Sequence, residues 1–386
     1  MGALCVSTGT EVNGFATAFR HTGIEFTLID RDSFPATNLV QNRTEFSTSE
    51  GSQYAGMEYG LRSAFDDETG TRSYHPYLLE WGADGERWQT VAEAQPDYTD
   101  HSYLVLPAGG GSTQWDVFYD YNRVATTQMQ VSPRAKNLDQ AVTITYPNGA
   151  SVEGFDTRLR VNNAVSGWRR LRPAEVAVSN LKACDGPPMG WWDWLSSYPN
   201  DPPWCYRTAT THRQVSGSTV LGSFVVRKPG ETVFPPPQNP PQPVAPRIVY
   251  NGVNQRDLQS CLASDAAACL DTVAGLAECV NARLVCNLYG PPPGGGGTAA
   301  APAPMSDAQA ASAATRTVGA DPSARVDVRR ATESGARDVV VVVGSGRAHS
   351  FAAGAERTYD GYRLTYDART HHLVSGCLGT ACALDR

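Results

Sequence analysis

The sequence lacks an excess of positive charge, and it lacks long hydrophobic runs. Its 39 Asp and Glu residues outnumber its 32 Lys and Arg residues, which leaves a formal net charge of −7 at pH 7. A protein that binds nucleic acid neutralises phosphates with a basic surface, so this balance argues against a nucleic-acid partner. No apolar stretch approaches the roughly 20 residues that a membrane-spanning helix needs. We therefore expect neither a nucleic-acid partner nor a membrane span.

Signatures of several enzyme classes are also missing. No Gly-x-Ser-x-Gly elbow of a serine hydrolase occurs in the sequence. The stretch VVVVVGSGRA, which contains Gly344 and Gly346, lacks the third glycine and the following helix of a dinucleotide site, so we interpret it as a hairpin turn. The seven histidines are scattered, and the neighbours His371 and His372 would point to opposite faces of a strand. The pattern predicts no metal site and no cofactor.

Cysteines are present, but none has the CxxC spacing of a zinc site, which favours disulfides over metal ligands. Eight of the nine cysteines form local pairs, and Cys5 is left over. Disulfides persist in oxidising compartments, so this pattern indicates a secreted, extracellular protein. The first residues, MGALCVSTGTEV, lack the basic and apolar regions of a signal peptide, so we expect a processed start or another export route. The predicted disulfides are Cys184–Cys205, Cys261–Cys286, Cys269–Cys279 and Cys377–Cys382.

Residues that favour turns are abundant, with 36 glycines and 26 prolines, and only 18% of the chain is charged. From about residue 13 to 230, short apolar or alternating segments are separated by turn signals. This spacing predicts a mainly β fold, with an antiparallel jelly-roll or β-sandwich domain. The segments are GIEFTLI, YAGMEYGL, YHPYLLEW, SYLVLPA, QWDVFYDY, AVTITY, TRLRVNN and STVLGSFVVR.

Two linkers are predicted to flank a small helical unit. Residues 231–250 include PPPQNPPQPVAP, which can continue neither a sheet ladder nor a helix. Residues 251–290 are rich in Ala and Leu with helical spacing and are interrupted near Gly275, which predicts a helical hairpin stapled by its two disulfides. Reactive thiols are the alternative, but no basic residues flank them. Residues 291–304 form the second linker, rich in Pro, Gly and Ala.

Residues 305–386 are predicted to form a small α+β domain. Ser306 or Asp307 can cap a helix, and four strand-like segments follow: ARVDVRRA, RDVVVVVGSG, YRLTYDA and HHLVSG. The order of elements and the ending TYDARTHHLVSG resemble the PepSY domain, whose last hairpin carries an Asp-Ala-x-Thr-Gly turn. The residues that match this turn are Asp367, Ala368, Arg369 and Thr370, and His371 replaces the glycine.

Carboxylates on the predicted strands are the best candidates for catalysis. In YAGMEYGL, Glu58 stands between Gly56 and Gly60 on the face opposite Met57. Either Glu58 belongs to a solvated face, or the glycines clear a groove beside it. Further acids on predicted strands, which could complete a general acid and base pair, are Glu80, Asp116 and Asp120.

Two motifs together resemble the neprosin-type glutamic peptidases. These are β-sandwich proteins of the concanavalin-like kind, and the match covers about residues 13–165. The motifs are MEYGL and YLLEWGADGE, and the matching positions are Glu58, Gly60, Trp81, Asp84 and Gly85. The resemblance implies an acid-active endopeptidase in which Glu58 is one of two catalytic glutamates. The family's second motif, Trp-Gly-Gly-Glu, is missing, so Glu80 and Glu153 are the candidate partners.

A loop rich in aromatic residues is the other candidate surface. It runs as CDGPPMGWWDWLSSYPNDPPWC between Cys184 and Cys205. Exposed rings at this density suit stacking on sugars or gripping a protein partner, although they could equally plug one end of the sandwich. The candidate ligand-binding residues are Trp191, Trp192, Trp194, Tyr198 and Trp204.

From the sequence we favour a secreted protein that binds polysaccharide or a protein surface through the sandwich and its Trp-rich loop. The alternative is the acid-active endopeptidase, with Glu58 and either Glu80 or Glu153 as its carboxyl pair. The sequence leaves open whether the protein is an enzyme.

Overall fold

A computed structural model defines the fold. The residues that it describes are 2–6, 12, 14–23, 25–26, 37–50, 53–66, 71–83, 85–97, 100–108, 113–120, 122–128, 137–144, 150–151, 155–163, 167–179, 182–184, 205–212, 219–227, 304–321, 325–333, 337–351 and 357–385.

These residues are mainly β-strands. The strands of the N-terminal region are β1 (Gly2–Val6), β2 (Gly14–Arg20), β3 (Glu25–Phe26), β4 (Thr37–Glu50), β5 (Gln53–Asp66), β6 (Thr71–Gly82), β7 (Gly85–Thr90), β8 (Asp100–Pro107), β9 (Trp115–Tyr119), β10 (Asn122–Thr126), β11 (Asn137–Ile144), β12 (Ala150–Ser151), β13 (Phe155–Asn163), β14 (Gly167–Arg170), β15 (Val176–Ser179), β16 (Lys182–Ala183), β17 (Cys205–His212) and β18 (Thr219–Arg227). The C-terminal elements are helix α1 (Asp307–Val318) and the strands β19 (Val326–Glu333), β20 (Arg337–His349), β21 (Thr358–Asp367) and β22 (Leu373–Gly379). Short 3-10 helices span Pro173–Glu175 and Thr380–Asp385.

The strands form two large sheets and a small ribbon. The first sheet has eleven strands in the order β15-β1-β11-β4-β5-β6-β7-β22-β21-β20-β19. The second has nine, in the order β10-β9-β8-β2-β13-β18-β17-β16, with β14 paired to β13, and β12 pairs with β3. Strands β16 and β17 are parallel, and the other described pairs are antiparallel. The predicted mainly β, antiparallel class is confirmed.

The two large sheets pack face to face across one hydrophobic core. Alternate residues of β5, such as Met57 and Tyr59, share this core with Phe19 of β2 and Tyr103 of β8. The rings of Tyr59 and Tyr103 lie 5.0 Å apart between centroids, and the Tyr59 hydroxyl donates a 2.9 Å hydrogen bond to the carbonyl of Phe118. The strands alternate because one face of each large sheet is buried in this sandwich-like core.

Helix α1 covers part of the outer face of the first sheet, the face turned away from the second sheet. The Ser306 hydroxyl caps the helix by accepting a hydrogen bond from the Gln309 backbone, and the Gln309 side-chain oxygen accepts one from the Ser306 backbone, which confirms the predicted cap. The helix ends at Gly319, whose φ of 56° is left-handed. The helix packs against β19 and β20, and its buried residues belong to one hydrophobic cluster of the outer face, which includes Ala310, Ala314, Val318, Tyr77, Leu79, Trp88, Val340, Val342 and Leu364.

The C-terminal strands continue the first sheet. Strand β22 pairs with β7, so the four strands from β19 to β22 extend the sheet that the N-terminal region begins. The GSG stretch corrects one expectation, because Gly344 lies within β20, beside a shift in the register with β21, and not in a hairpin turn. A Cβ atom at Gly344 would overlap the ring of Tyr362, which explains the glycine by packing.

Two of the four predicted disulfides are confirmed, Cys184–Cys205 and Cys377–Cys382. The other two, with the predicted helical hairpin and both linkers, lie outside the described residues. Cys5 lies in β1, where its backbone is opposite Asp139 and Ala177. None of the helices that the structure describes is long and apolar enough to cross a membrane.

Candidate functional site

Glu58 lies in the middle of β5, on the outer face of the first sheet. It is only 1% exposed, so the interpretation of Glu58 as a solvated surface acid does not hold. The Tyr77 hydroxyl, on the neighbouring strand β6, donates a 3.1 Å hydrogen bond to Glu58 Oε2. Arg62 is four residues further along the same strand, with its guanidinium 5.5 Å from the centre of the Trp88 ring. Burial lowers the pKa of Arg62, while the charges of Tyr77, Tyr366 and Glu58 act in the opposite direction.

The register of the sheet places a second glutamate directly opposite Glu58. In the β4–β5 pair the partner of Glu58 is Glu45, and in the β11–β4 pair the partner of Glu45 is Asp139. Partners in an antiparallel pair point to the same face, with Cβ atoms about 4.5–5.5 Å apart. Thr44 reaches inward to Thr17 of the second sheet at 2.8 Å, so its neighbour Glu45 points outward, as Glu58 does. We call Asp139, Glu45 and Glu58 the acidic row.

The members of the acidic row have different surroundings. Glu58 is almost fully buried, whereas Glu45 and Asp139 are partly exposed. Two carboxyl groups in unlike environments can take unlike chemical roles, one as an acid and the other as a base. The acidic row is therefore the arrangement around Glu58 that is best suited to acid–base chemistry.

The structure does not bring Glu80 to Glu58. Glu80 is the register partner of Met57, so it points inward to the face between the sheets, opposite to Glu58. There it is 1% exposed, and it accepts a 2.7 Å hydrogen bond from the backbone of Gln128. Glu153 and Asp84 lie outside the described residues.

Asp116 is also held away from the acidic row. It lies on β9 in the second sheet, where it accepts a 2.6 Å hydrogen bond from Thr126 Oγ1 and lies 3.6 Å from Arg123. The five aromatic residues of the Trp-rich loop lie outside the described part of the chain. At the ends of that loop the structure describes the closing disulfide and a 2.9 Å hydrogen bond from the Cys184 backbone to Tyr206.

A second polar group, which the sequence did not reveal, lies at one end of the core. We call His21, Asp97, His101 and Asp120 the histidine–aspartate cluster. The rings of His21 and His101 stack with centroids 3.9 Å apart. His101 Nδ1 is 2.7 Å from Asp120 Oδ2, and His101 Nε2 is 2.9 Å from Asp97 Oδ2. Each nitrogen of His101 therefore has a carboxylate partner.

Tyrosines surround this cluster on its inner side. Tyr103 places its hydroxyl 2.8 Å from His21 Nε2, and the Tyr119 hydroxyl is 2.9 Å from His101 Nδ1. Tyr74 comes from the first sheet and meets the His21 ring edge-on at 5.5 Å. The cluster thus lies where the two sheets meet, at the boundary between the core and the solvent.

The two histidines have opposite electrostatic environments. Burial lowers the pKa of His21 well below its usual value and the charge of His101 lowers it further, although Asp97 and the Gln95 backbone act against this. Burial also disfavours the charged form of His101, but the charge and hydrogen bond of Asp120, together with Asp97, outweigh it and raise the pKa to about 10. At neutral pH a neutral His21 therefore stacks on a charged His101.

Long-range strand pairing explains why the sequence did not reveal the cluster. Strand β2 pairs with β8, so Phe19 is opposite His101, and His21 is two residues beyond Phe19. Asp120 is in the turn between β9 and β10, with a φ of 46°, and it accepts a 2.9 Å hydrogen bond from the Ser102 backbone. The pairing of β2 with β8 joins residues that are distant in the sequence, so the spacing of the histidines along the chain did not predict that His21 and His101 are neighbours.

The chain matches none of the protein-family models, and a search of curated proteins finds no significant match.

Proposed function

We propose that the protein is an acid-active endopeptidase that uses Glu45 and Glu58 as its carboxyl pair. The observation that supports this proposal is the strand register, which sets the two glutamates directly opposite each other on one face. Like charges directly opposite each other destabilise a sheet. The pairing of Glu45 with Glu58 therefore has a cost in stability, and a reaction that uses both carboxyl groups would explain why the sheet has it.

The different exposure of the two carboxyl groups suggests their roles. Glu45, which is partly exposed, is the group that can meet water and remove a proton from it. Glu58, held by the hydroxyl of Tyr77, supplies the second carboxyl, which donates a proton to the departing amine. The reaction needs one ionised and one protonated carboxyl, and an acidic solution favours the protonated member of such a pair. We therefore expect activity in acidic solution.

The resemblance to neprosin-type peptidases is consistent with this proposal. In that family two glutamates act together, and Glu58 occupies the position of the first. The geometry favours Glu45 as the second in place of Glu80, which points to the other face of the sheet. The two disulfides support an extracellular site of action.

Digestion of a peptide library at acidic pH tests this function. The full chain should cleave peptides, and both Glu45→Gln and Glu58→Gln should lose at least about 100-fold in rate, because each removes a proton-transfer group but keeps a similar shape. Glu93→Gln is the matched control, since Glu93 is an exposed glutamate that pairs with Arg337 at 3.4 Å. Absence of cleavage by the full chain, or equal cleavage by the Glu58→Gln variant, would contradict the proposal.

A second candidate function is binding of polysaccharide or a protein surface by the Trp-rich loop. The supporting observation is the disulfide between Cys184 and Cys205, which are 21 positions apart in the sequence. This disulfide closes the loop that contains the aromatic residues. A closed loop loses less freedom when it binds, which favours affinity. On a glycan array, Trp192→Ala should reduce binding, whereas Ser196→Ala in the same loop should leave it unchanged. Binding that is equally strong in both variants would exclude the loop.

A further inference from the structure

We propose that the histidine–aspartate cluster is a binding site for a zinc ion, with His21, Asp97 and His101 as its three protein ligands. One ligand atom from each of these residues lies within 4.8 Å of the others. Imidazole nitrogen and carboxylate oxygen are ligands that zinc prefers, and three protein ligands leave a fourth position for water. This inference does not depend on the acidic row, which lies on the outer face of the first sheet, away from the histidine–aspartate cluster.

His101 is already oriented as a zinc ligand. Its Nδ1 is held by Asp120 Oδ2 at 2.7 Å, and Asp120 is itself fixed by the backbone of Ser102 at 2.9 Å. Histidines that bind metals usually direct their second nitrogen to a carboxylate in this way. The arrangement leaves Nε2 as the ligand atom, and this atom faces Asp97.

Asp97 lies slightly closer to His101 than two ligands of a shared metal do. Its Oδ2 is 2.9 Å from His101 Nε2. Two ligands at about 2.0–2.1 Å from a tetrahedral zinc are roughly 3.3 Å apart, so the ion can enter with a small movement of the loop that carries Asp97. In the bound state zinc takes the place of the proton that His101 Nε2 shares with Asp97, and this proton is released to the solvent.

His21 supplies a buried nitrogen that makes no hydrogen bond of acceptable geometry in the described structure. Its Nε2 is 2.8 Å from the Tyr103 hydroxyl, which can fix the ring in the manner of an outer-sphere partner. Its Nδ1 is buried and has no hydrogen-bond partner of acceptable geometry, although the Gln95 backbone is near enough to influence its pKa. Buried polar atoms are rarely left unsatisfied in proteins, and a bound ion would satisfy this one.

The ion would reach this site from the solvent. His21 is fully buried, but the side chains of Asp97 and His101 are 32% and 17% exposed. The ligands come from the end of β2, the loop after β7 and the start of β8. A bound zinc would therefore join two segments that lie far apart in the sequence, the end of β2 and the residues that lead into β8, at the edge of the core.

Titration of the full, disulfide-intact chain with zinc chloride tests the site. Isothermal titration calorimetry should give one ion for each chain, and zinc should raise the melting temperature, because a ligand that binds only the folded state stabilises it. Cobalt(II) should give the visible absorption of a tetrahedral centre. Asp97→Asn and His21→Gln should each weaken zinc binding at least tenfold, and Asp120→Asn should weaken it about 10–100-fold through its hold on His101.

A second pair of neighbouring histidines, whose rings meet edge-on, provides the matched control. His75 and His372 lie with centroids 4.8 Å apart at a different place, so His372→Gln should leave zinc affinity unchanged. Circular dichroism and melting without metal report whether each variant folds. If the His21→Gln variant does not fold, the zinc affinity of the Asp97→Asn variant tests the proposal. Asp97 lies in a partly exposed loop, so its substitution should leave the fold intact. The proposal is overturned if the full chain binds no zinc, if Asp97→Asn binds it as tightly, or if His372→Gln loses it.

Discussion

Among single residues, His371 has a backbone conformation that favours glycine. His371 has a φ of 62°, in the left-handed region that favours glycine. A residue with a side chain pays about 1–2 kcal/mol for this conformation.

We therefore expect His371→Gly to stabilise the protein. The free energy of unfolding should rise by up to about 1 kcal/mol, because relief of the backbone strain exceeds the greater freedom that glycine has in the unfolded chain. Urea unfolding measures the change. The control is Arg369→Gly, two positions earlier in the same turn and without a left-handed φ, which should lower stability. A lower stability for His371→Gly would show that contacts of the histidine side chain outweigh the strain.

At the scale of elements, the turn between β21 and β22 depends on one carboxylate. Asp367 Oδ1 accepts hydrogen bonds from the backbone of Arg369 and Thr370 at 2.8 and 2.7 Å, and Oδ2 accepts one from Arg337 at 2.7 Å. Burial alone would raise the pKa of Asp367, but these hydrogen bonds and the charge of Arg337 lower it to about 2. The turn is thus coupled to ionisation of a single side chain.

This shift predicts a dependence of stability on pH. The pKa in the folded protein is below that of the unfolded chain, so Asp367 stabilises the fold above about pH 4, and this contribution is lost as the pH falls towards about 2. Asp367→Asn should lower the free energy of unfolding by about 2 kcal/mol at neutral pH and have little effect near pH 2. Urea unfolding over this range measures it. Asp338→Asn, which changes a 56% exposed acid beside Arg369, should lower stability by less than about 1 kcal/mol at neutral pH, because exposed ion pairs contribute little. An equal loss of stability in both variants at neutral pH would contradict the prediction.

Elements with local signals could be predicted from the sequence, and their partners could not. The cap at Ser306 followed by Gln309, the alternation of YAGMEYGL and the two short-range disulfides all depend on residues close together in the chain. The pairing of Glu45 with Glu58 depends on the register of β4 against β5. A shift of this register by one residue would place the two glutamates on opposite faces of the sheet. For this reason Glu58 was found from the sequence, while its neighbour Glu45 and the histidine–aspartate cluster were not.

At the scale of the whole molecule, the N-terminal and C-terminal regions are joined by a buried acid. Glu86 of β7 is 0% exposed. It accepts hydrogen bonds from Ser350 Oγ at 2.6 Å, the Phe351 backbone at 2.8 Å and the Tyr359 hydroxyl at 3.1 Å, and Arg357 lies 3.3 Å away. Since all these partners are in the C-terminal region, Glu86 links the two regions beyond their shared sheet.

Removing the charge of Glu86 should weaken the whole structure. Glu86→Gln retains one acceptor oxygen but loses the charge-assisted bonds, so the free energy of unfolding should fall by about 2–3 kcal/mol. Glu93→Gln breaks a pair between the same regions at the surface, and it should change the stability by less than about 1 kcal/mol. Guanidinium unfolding, followed by tryptophan fluorescence, compares the two variants. Equal effects would mean that burial of Glu86 has no influence on the link.

The pairing of β7 with β22 also constrains the order in which the protein can be assembled. Thr90 at the end of β7 donates a hydrogen bond to the carbonyl of Leu373, which is 283 residues later in the chain. During synthesis, therefore, β7 emerges long before the strand that will cover its edge. An uncovered edge is a template for wrong pairing, and distant contacts form slowly. The edge of β7 must therefore stay protected in the nascent chain until β22 has been synthesised, either because β7 folds late or because a chaperone binds it.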